Sequence, residues 1–188
     1  MSNHKTMKQI RIHGRGGQGV VTAAELIAIA AFYEGHTSQA FPSFGVERTG
    51  APIEAFARID DKPIRTSEHI YRPDFLIIQD ATLLLAVDVA KGCNPKTIAI
   101  INTAKPKAEI KINLPMENIH AIDATKIALE EIGKNIVNTV ILGAFAKTSG
   151  LISLKSLEKA IKQKFSEKGE EIISKNIKAI TRAYNLTK

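Results

Sequence analysis

Apolar and polar residues alternate at the start of the chain and then change to a helical spacing. Residues 8–13 (KQIRIH) place polar and apolar side chains in turn, which predicts a β-strand. After a glycine-rich turn, small and apolar residues recur at helical spacing over residues 20–31, and we expect this helix to end near Glu34, with Gly35 as its stop. Residues 37–41 (TSQAF) predict a second strand, parallel to the first by the crossover rule.

The middle of the chain has strand patterns of two kinds. Residues 53–67 (IEAFARIDDKPIRTS) form two extended arms around Asp60, Asp61 and Lys62, which predicts a β-hairpin inserted into a strand–helix repeat. Later runs are continuously apolar, as in strands buried on both faces of a parallel sheet. These runs predict strands at residues 75–80 (FLIIQD), 97–102 (TIAIIN) and 119–123 (IHAID), and a short helix around Leu83–Ala90. Asp123 is the expected N-cap of the next helix.

The last third of the chain has a helical pattern throughout. We expect breaks at residues 148–150 (TSG) and near Gly169, and one apolar stripe made by Ile173, Ile177, Ile180 and Tyr184. The predicted fold class is therefore α/β. The sequence favours a single Rossmann-like domain over residues 1–188, with a mostly parallel sheet, an inserted β-hairpin and a helical C-terminal third.

Composition narrows the class of protein. The chain has no run of 18 apolar residues, so the sequence predicts no membrane span. The first ten residues lack the apolar core of a signal peptide. Because Cys93 is the single cysteine, an internal disulfide is excluded. We therefore expect a cytoplasmic protein. Residues 151–188 hold nine Lys or Arg against four Asp or Glu, within a net charge of +7. This excess indicates either a solvated helical face or a docking face for an acidic partner or a phosphate-bearing ligand. The absence of interleaved aromatic residues argues against nucleic acid.

The glycine-rich turn is the first candidate binding element. Gly14, Gly16 and Gly19 fit the G-x-G-x-x-G pattern, and such a turn aims backbone N–H groups and a helix N-terminus at one point. The Arg15 guanidinium and the Gln18 amide add polar groups suited to an anion, a carbonyl oxygen or a neighbouring backbone.

A dinucleotide site also requires a residue that binds the ribose. It needs an acidic residue at the end of the second strand, where this chain offers only Gln39, and an NADP site needs an arginine, which first occurs at Arg48. No Gly-Lys-Ser/Thr follows the turn, so a Walker loop is excluded. A stand-alone nucleotide-binding module of Rossmann type remains the alternative reading of the turn.

Other reactive residues are sparse. The five histidines lack metal-ligand spacing, one cysteine cannot hold a zinc or iron–sulfur site, and the acidic pairs are adjacent in sequence, so their side chains diverge. By its own residues the chain lacks the means for a complete reaction.

Three longer motifs resemble one enzyme family. The segments are HGRGGQGVVTAAELIA (13–28), QAFPSFGVERTGAPIEAFARI (39–59) and PDFLIIQDATLL (73–84), with Ile64–Arg65 between the last two. In this order they resemble the gamma subunit of the 2-oxoacid:ferredoxin oxidoreductases, and FPSFGVERTGAP is similar to the pyruvate branch. Gamma subunits of enzymes for 2-ketoisovalerate, 2-oxoglutarate or indolepyruvate are the alternatives within the family.

The resemblance implies a multi-subunit enzyme that is not active through this chain alone. Such enzymes convert a 2-oxoacid and coenzyme A into acyl-CoA and CO2 and pass two electrons to ferredoxin. Thiamine diphosphate, Mg2+ and [4Fe–4S] clusters are expected on partner subunits of the alpha, beta and delta types, with coenzyme A as a shared substrate. We expect this chain to supply no catalytic residue and no metal ligand.

The resemblance also implies a role for the two loops. We expect them to form one surface that faces the active-site cleft and contacts coenzyme A or a partner. The coenzyme A or anion loop is Gly14, Arg15, Gly16, Gly17, Gln18 and Gly19; the partner or cleft loop is Phe41, Pro42, Ser43, Phe44, Gly45, Glu47 and Arg48. Core packing of Phe41 and Phe44, and an intrachain Glu47–Arg48 ion pair, are the alternatives for the second loop.

Overall fold

The computed structural model describes residues 7–43 and 49–187. The strands are β1 (Lys8–Arg15), β2 (Thr37–Pro42), β3 (Pro52–Asp60), β4 (Phe75–Ile78), β5 (Ile98–Asn102) and β6 (Ile119–Ile122). The helices are α1 (Val20–Tyr33), α2 (Leu83–Ala86), α3 (Ala124–Glu131), α4 (Val137–Ser149), α5 (Leu154–Lys164) and α6 (Glu170–Leu186). None of these helices is both long and apolar enough to cross a membrane.

The strands of this part of the chain form one six-stranded sheet in the order β2-β3-β1-β4-β5-β6. Neighbours from β1 to β6 pair in parallel, whereas β3 is antiparallel to both β1 and β2. The mixed α/β class with a mostly parallel sheet is therefore confirmed.

The antiparallel pair differs from the predicted one. The hairpin over residues 53–67 is wrong, because β3 ends at Asp60 and the following segment is not a strand. Instead, β3 lies between β1 and β2, so β2 runs in the direction of β1 without being bonded to it. Pro63 removes one backbone donor from the supposed second arm, and buried arginines take several of the carbonyls that follow.

The residues that end α1 and begin α3 lie where the sequence predicts them. Gly35 follows α1 with φ 83°, and the Asp123 carboxylate accepts from the Lys126 N–H at 2.9 Å at the start of α3. The C-terminal helices break at Gly150 and Gly169. Helix α2 is shorter than expected, because the chain becomes extended at Val87.

One face of the sheet packs against helices. Residues of α1, α3, α4, α5 and α6 join alternate residues of the strands in a single apolar cluster. Helices α4 and α6 approach each other closely at Gly143 of α4, where an added Cβ would lie 2.1 Å from the Ile180 carbonyl oxygen of α6. This face is held by close apolar packing.

The opposite face of β1 and β3 carries buried charged side chains. It is covered by residues 61–74, an extended segment called the strap below. Arg58 donates to the carbonyls of Thr66 and Glu68, and Arg11 donates to those of Ile70, Val89 and Lys91. The strap is therefore fastened to the sheet by arginine–carbonyl hydrogen bonds.

His13 lies beside Arg11 on the same face. Its Nε2 accepts from Arg11 Nε at 3.1 Å, and its Nδ1 is 3.5 Å from a Glu54 carboxylate oxygen. Burial, together with the Arg11 charge, lowers the pKa of His13 to about 3. The imidazole is neutral at pH 7, and the arginine contact assigns its proton to Nδ1.

Candidate functional site

The glycine-rich turn and the described end of the second motif are hydrogen-bonded to each other. The Gly16 N–H donates to the Ala51 carbonyl at 2.9 Å, and the Gly50 N–H donates to the Gly16 carbonyl at 3.1 Å. Two segments that are far apart in sequence therefore form one continuous surface at the carboxyl end of β1.

The glycines of the turn permit close packing within the chain. Gly19 has φ 69°, and an added Cβ would lie 2.4 Å from Asn138 Nδ2 of α4. At Gly14 an added Cβ would lie 2.5 Å from Val20 Cγ2, at the start of α1. Gly17, with φ 92°, has open space around it. The pattern is thus explained largely by how the strand approaches two helices, without any cofactor.

Arg15 joins three segments around this turn. Its Nε donates to Asp80 Oδ2 at 3.1 Å, and its two terminal nitrogens donate to the Gly50 carbonyl at 3.0 Å and to Thr82 Oγ1 at 2.8 Å. Each guanidinium nitrogen therefore has one intrachain partner, and these bonds use three of the five N–H groups of Arg15.

Gln18 and Asp80 complete the same network. The Gln18 Oε1 accepts from the Arg15 N–H at 2.8 Å, and its Nε2 donates to Asp80 Oδ2 at 3.1 Å. Burial tends to raise the pKa of Asp80, but hydrogen bonds from Thr82 and Gln18 and the Arg15 charge outweigh it and hold the pKa below its usual value. Asp80 is therefore ionised at neutral pH and balances the Arg15 charge.

A crevice of about 340 Å³ lies beside this network, where β1, β4 and β5 end. Its lining residues are Gly17, Gln18, Gln79, Asp80, Ala81, Thr82, Asn102, Thr125, Asn135 and Val137. In the sheet, β3 and β2 lie on one side of β1, and β4, β5 and β6 lie on its other side. The strand order therefore changes direction between β1 and β4. Open α/β sheets bind ligands at such a switch point. We name this cavity the strand-end crevice.

Some polar side chains in and beside this crevice have hydrogen-bond partners in the described part of the chain, and others have none. Asn102 donates to the Gln79 carbonyl at 2.9 Å and accepts from the Thr125 N–H at 3.1 Å. Gln79 is 1% exposed, yet neither its amide nitrogen nor its amide oxygen has a hydrogen-bond partner among residues 7–43 and 49–187. Asn138 Oδ1, at the start of α4, is also unpartnered. Burying such atoms without a partner costs free energy.

The second predicted loop is described only in part. Phe41 and Pro42 end β2, and the Ser43 N–H donates to the Glu54 carbonyl at 3.0 Å. The half-buried Phe41 ring lies 5.2 Å from the Phe56 ring and 5.0 Å from the Arg58 guanidinium carbon. The remaining predicted loop residues, Phe44, Gly45, Glu47 and Arg48, lie outside the described residues.

Sequence reasoning did not select several residues of the crevice. Gln79 and Asp80 end the predicted strand at 75–80 and follow the observed β4, and Asn102 ends the predicted strand at 97–102. A usable signal was present, because the carboxyl ends of adjacent parallel strands meet at one edge of the sheet.

The residue types do not fit the metal groups expected of the family. A [4Fe–4S] cluster takes four cysteine thiolates, whereas the chain has only the half-buried Cys93. In residues 7–43 and 49–187, no three His, Cys, Asp or Glu side chains are grouped to hold a metal ion such as Mg2+. We derive no chemical step through such a group on this chain.

The sheet order also argues against a dinucleotide site. In the Rossmann arrangement the acid that binds the ribose ends the strand next to β1. Here β3 occupies that place and runs the other way, so β2, which contains Gln39, is one strand too far away. The fold and site thus define a Rossmann-like domain whose glycine turn is bonded to its own chain.

Comparison with known proteins gives the family. A model of the pyruvate ferredoxin/flavodoxin oxidoreductase family matches residues 9–186, and this chain belongs to that family. It is 54% identical over 156 residues to pyruvate synthase subunit PorC of Methanosarcina barkeri, covering 83% of this chain and 85% of that protein.

Two further proteins match over nearly their full length. The common subunit gamma of the pyruvate/ketoisovalerate oxidoreductases of Pyrococcus furiosus is 51% identical over 183 residues, covering 96% of this chain and 97% of its own. The crystal structure of pyruvate oxidoreductase subunit PORC from Thermotoga maritima aligns with a TM-score of 0.85 at 38% identity and covers 98% of both chains. The resemblance seen in the three sequence motifs is therefore confirmed.

Proposed function

We propose that this chain is the gamma subunit of a multi-subunit pyruvate:ferredoxin oxidoreductase. The enzyme converts pyruvate and coenzyme A into acetyl-CoA and CO2 and passes the two electrons released to ferredoxin. The observation that carries this proposal is the match to subunits named for pyruvate oxidation or synthesis, at 51–54% identity. The Pyrococcus relative is named as common to pyruvate and ketoisovalerate enzymes, so we expect substrate choice to depend on the other subunits.

Partner subunits would supply the redox and thiamine chemistry. Alpha, beta and delta-type subunits would bind thiamine diphosphate, Mg2+ and the [4Fe–4S] clusters, and ferredoxin would bind to the complex. This division is supported by the single cysteine of the chain and by the lack of a metal-ligand group in its described residues. The chain would act as one domain over residues 1–188, in the cytoplasm and only within the assembly.

The contribution of this chain would be a subunit interface and part of the cleft through which coenzyme A enters. The loop Gly14–Gly19 and residues Phe41–Arg48 would form that surface. The bonds that join Gly16 to Gly50 and Ala51 support this pairing of the two motifs. Since all three nitrogens of the Arg15 guanidinium donate within the chain, its expected role is to hold the glycine turn against Asp80 and Gly50.

An affinity purification tests the assembly directly. The tagged chain is purified from its own cells without oxygen, and the eluate is examined for larger subunits, iron–sulfur absorbance and coenzyme A-dependent reduction of a viologen dye by pyruvate. We expect all three. Activity with another 2-oxoacid would change only the substrate, whereas a colourless chain without partners or activity would overturn the proposal.

Replacing Arg15 by Ala tests the cleft role in the assembled enzyme. Loss of the bonds to Gly50, Asp80 and Thr82 should loosen the glycine turn, and we expect the Michaelis constant for coenzyme A to rise by about fivefold or more while that for pyruvate changes less than twofold. Steady-state kinetics measures both constants. The matched control is Arg72→Ala, an exposed arginine of the strap. An unchanged constant for coenzyme A would contradict the cleft role.

A further inference from the structure

The strap turns its carbonyls toward the sheet at every second residue. The Thr66 and Glu68 carbonyls accept from Arg58, and the Ile70 carbonyl accepts from Arg11. In an extended chain, the backbone N–H and C=O groups of successive residues point to opposite edges. The alternation therefore assigns residues 66, 68 and 70 to an edge that faces the sheet, and the residues between them to an edge that faces outward.

The outward edge has no backbone hydrogen-bond partner in the described part of the chain. It consists of Arg65, Ser67 and His69, which are exposed, and none of their N–H or C=O groups is bonded there. The edge ends at Tyr71, because the Tyr71 carbonyl oxygen packs against Gly92, where an added Cβ would lie 1.9 Å away. Each of the three edge residues therefore offers a free donor and a free acceptor on the same side of the strap.

We propose that this outward edge binds an extended segment of a partner subunit as an added β-strand; the identity of the partner rests on the proposed function. A free strand edge pairs with an extended peptide through main-chain hydrogen bonds, which supply affinity. Pro63 and Pro73 lie on either side of the edge, and every residue between them keeps its N–H. Such an edge is a template for a strand from another chain.

The outward edge is held in position before a partner arrives. The guanidinium donors Arg58 and Arg11 are 1% and 5% exposed, and Ile70 of the strap is 1% exposed. These buried groups fix the inward edge against the sheet. Less conformational entropy is then lost on binding than for a free loop, which favours association.

A cavity beside the outward edge selects one side chain of the added strand. It has a volume of about 470 Å³, and its lining includes Phe56, His69, Ile70 and Tyr71, with charged side chains of both signs on the remaining wall. The ring centroids of Phe56 and His69 are 5.1 Å apart and those of His69 and Tyr71 are 6.3 Å apart, and Tyr71 is 70% exposed. An aromatic side chain continues this row of rings, so the segment that fits carries an aromatic residue here.

A second copy of this chain fits the edge less well than a partner subunit does. Each copy carries a net charge of +7, so two copies repel each other. The edge is therefore assigned to a different chain, and pairing of two straps becomes an outcome of the test.

Hydrogen exchange, read at single residues by mass spectrometry, tests the edge in the intact complex and in the isolated full chain. In the isolated chain we expect the N–H groups of Arg65, Ser67 and His69 to exchange as fast as those of an unstructured peptide. In the complex their exchange should slow by about 100-fold or more, while the N–H groups of Thr66 and Glu68 change by less than about threefold. Alternation is the signature of strand pairing, since simple burial slows neighbouring residues equally.

Every other outcome of the exchange measurement overturns the inference. Unchanged exchange in an active complex rejects this inference alone and leaves the proposed function in place. Equal slowing at all five positions shows burial without an added strand. Alternating slowing in the isolated chain that grows with its concentration assigns the edge to a second copy. A chain that yields no partner subunits rejects the proposed function, and with it the partner named for this edge.

The variant Ser67→Pro removes one outward N–H and tests the same edge through association. We expect the recovery of partner subunits per tagged chain to fall about tenfold, as for one or two lost main-chain bonds. Ser67→Ala keeps the N–H, and Thr66→Pro removes an N–H of the inward edge, so both should recover partners as the parent does.

The melting temperature of the isolated chain shows whether the two proline variants fold alike. Equal losses of partner subunits in Ser67→Pro and Thr66→Pro, with equal melting temperatures, would show that the outward edge is not the contact. If Ser67→Pro does not fold, the exchange measurement, which needs no variant, decides.

Discussion

The two faces of β1 and β3 are made by alternate residues of the same strands, but different interactions hold them. On the helix-covered side, Ile10 and Ile12 of β1 join an apolar cluster with α1 and α4. On the strap-covered side, the intervening Arg11 and His13 are buried and polar. Apolar contacts are non-directional and spread over many residues, whereas the strap adds a few directed hydrogen bonds to the burial of Ile70 and Phe56. A single substitution should therefore affect the second face more.

The largest effect is expected from Arg11→Met. The side chain is 5% exposed and donates to three carbonyls and to His13. Leaving these acceptors without a donor should lower the free energy of unfolding by about 3–5 kcal/mol, within the range for broken buried networks. Urea denaturation of the full chain measures it. Arg72→Met, exposed on the strap, should cost less than about 0.5 kcal/mol. Equal losses for both variants would remove the distinction between the faces.

The helix-covered face has its own weak point at Gly143. Replacement by Ala should lower the free energy of unfolding by about 2–3 kcal/mol, because a Cβ would meet the Ile180 carbonyl and push α6 away from α4. The control is Gly150→Ala at the end of the same helix, where nothing lies within 4 Å and only the strain of φ 62° remains, at about 1 kcal/mol. Thermal denaturation compares them. A smaller loss at Gly143 than at Gly150 would show that the helices separate freely.

The smallest expected effect is a change in how the free energy of unfolding depends on pH. The pKa of His13 is about 3 in the folded chain and about 6.5 when unfolded, so the unfolded state binds more protons between these values. Stability from this residue is complete above pH 6.5 and is lost as the pH falls toward 3. Lowering the pH from 6.5 to 5 should cost about 2 kcal/mol.

The variant His13→Gln checks that assignment. It keeps an acceptor for Arg11 but does not titrate, so its unfolding free energy should change by about 2 kcal/mol less over the same pH interval. Identical slopes for the parent and His13→Gln would show that the imidazole titrates normally.

Much of the candidate site was open to prediction from the sequence, and the exceptions share a cause. The glycine turn between β1 and α1 and the approximate positions of β4 and β5 were predicted, since their signals are local. The partners of Arg15 were not predictable, because Asp80 is 65 positions away in sequence and Gly50 is 35 away. The unpartnered amide of Gln79 was likewise invisible, since burial and pairing are properties of the assembled sheet.

The sequence by itself determined the α/β class, the order of most elements, the stop at Gly35 and the cap at Asp123, because periodicity and capping act within a few residues. The three long motifs also determined the family. Only the tertiary structure decided that β3 lies between β1 and β2 and that Arg11 and Arg58 fasten the strap. The alternation of β3 fits several neighbours equally well. The choice between them depends on contacts that form only when the whole sheet is built.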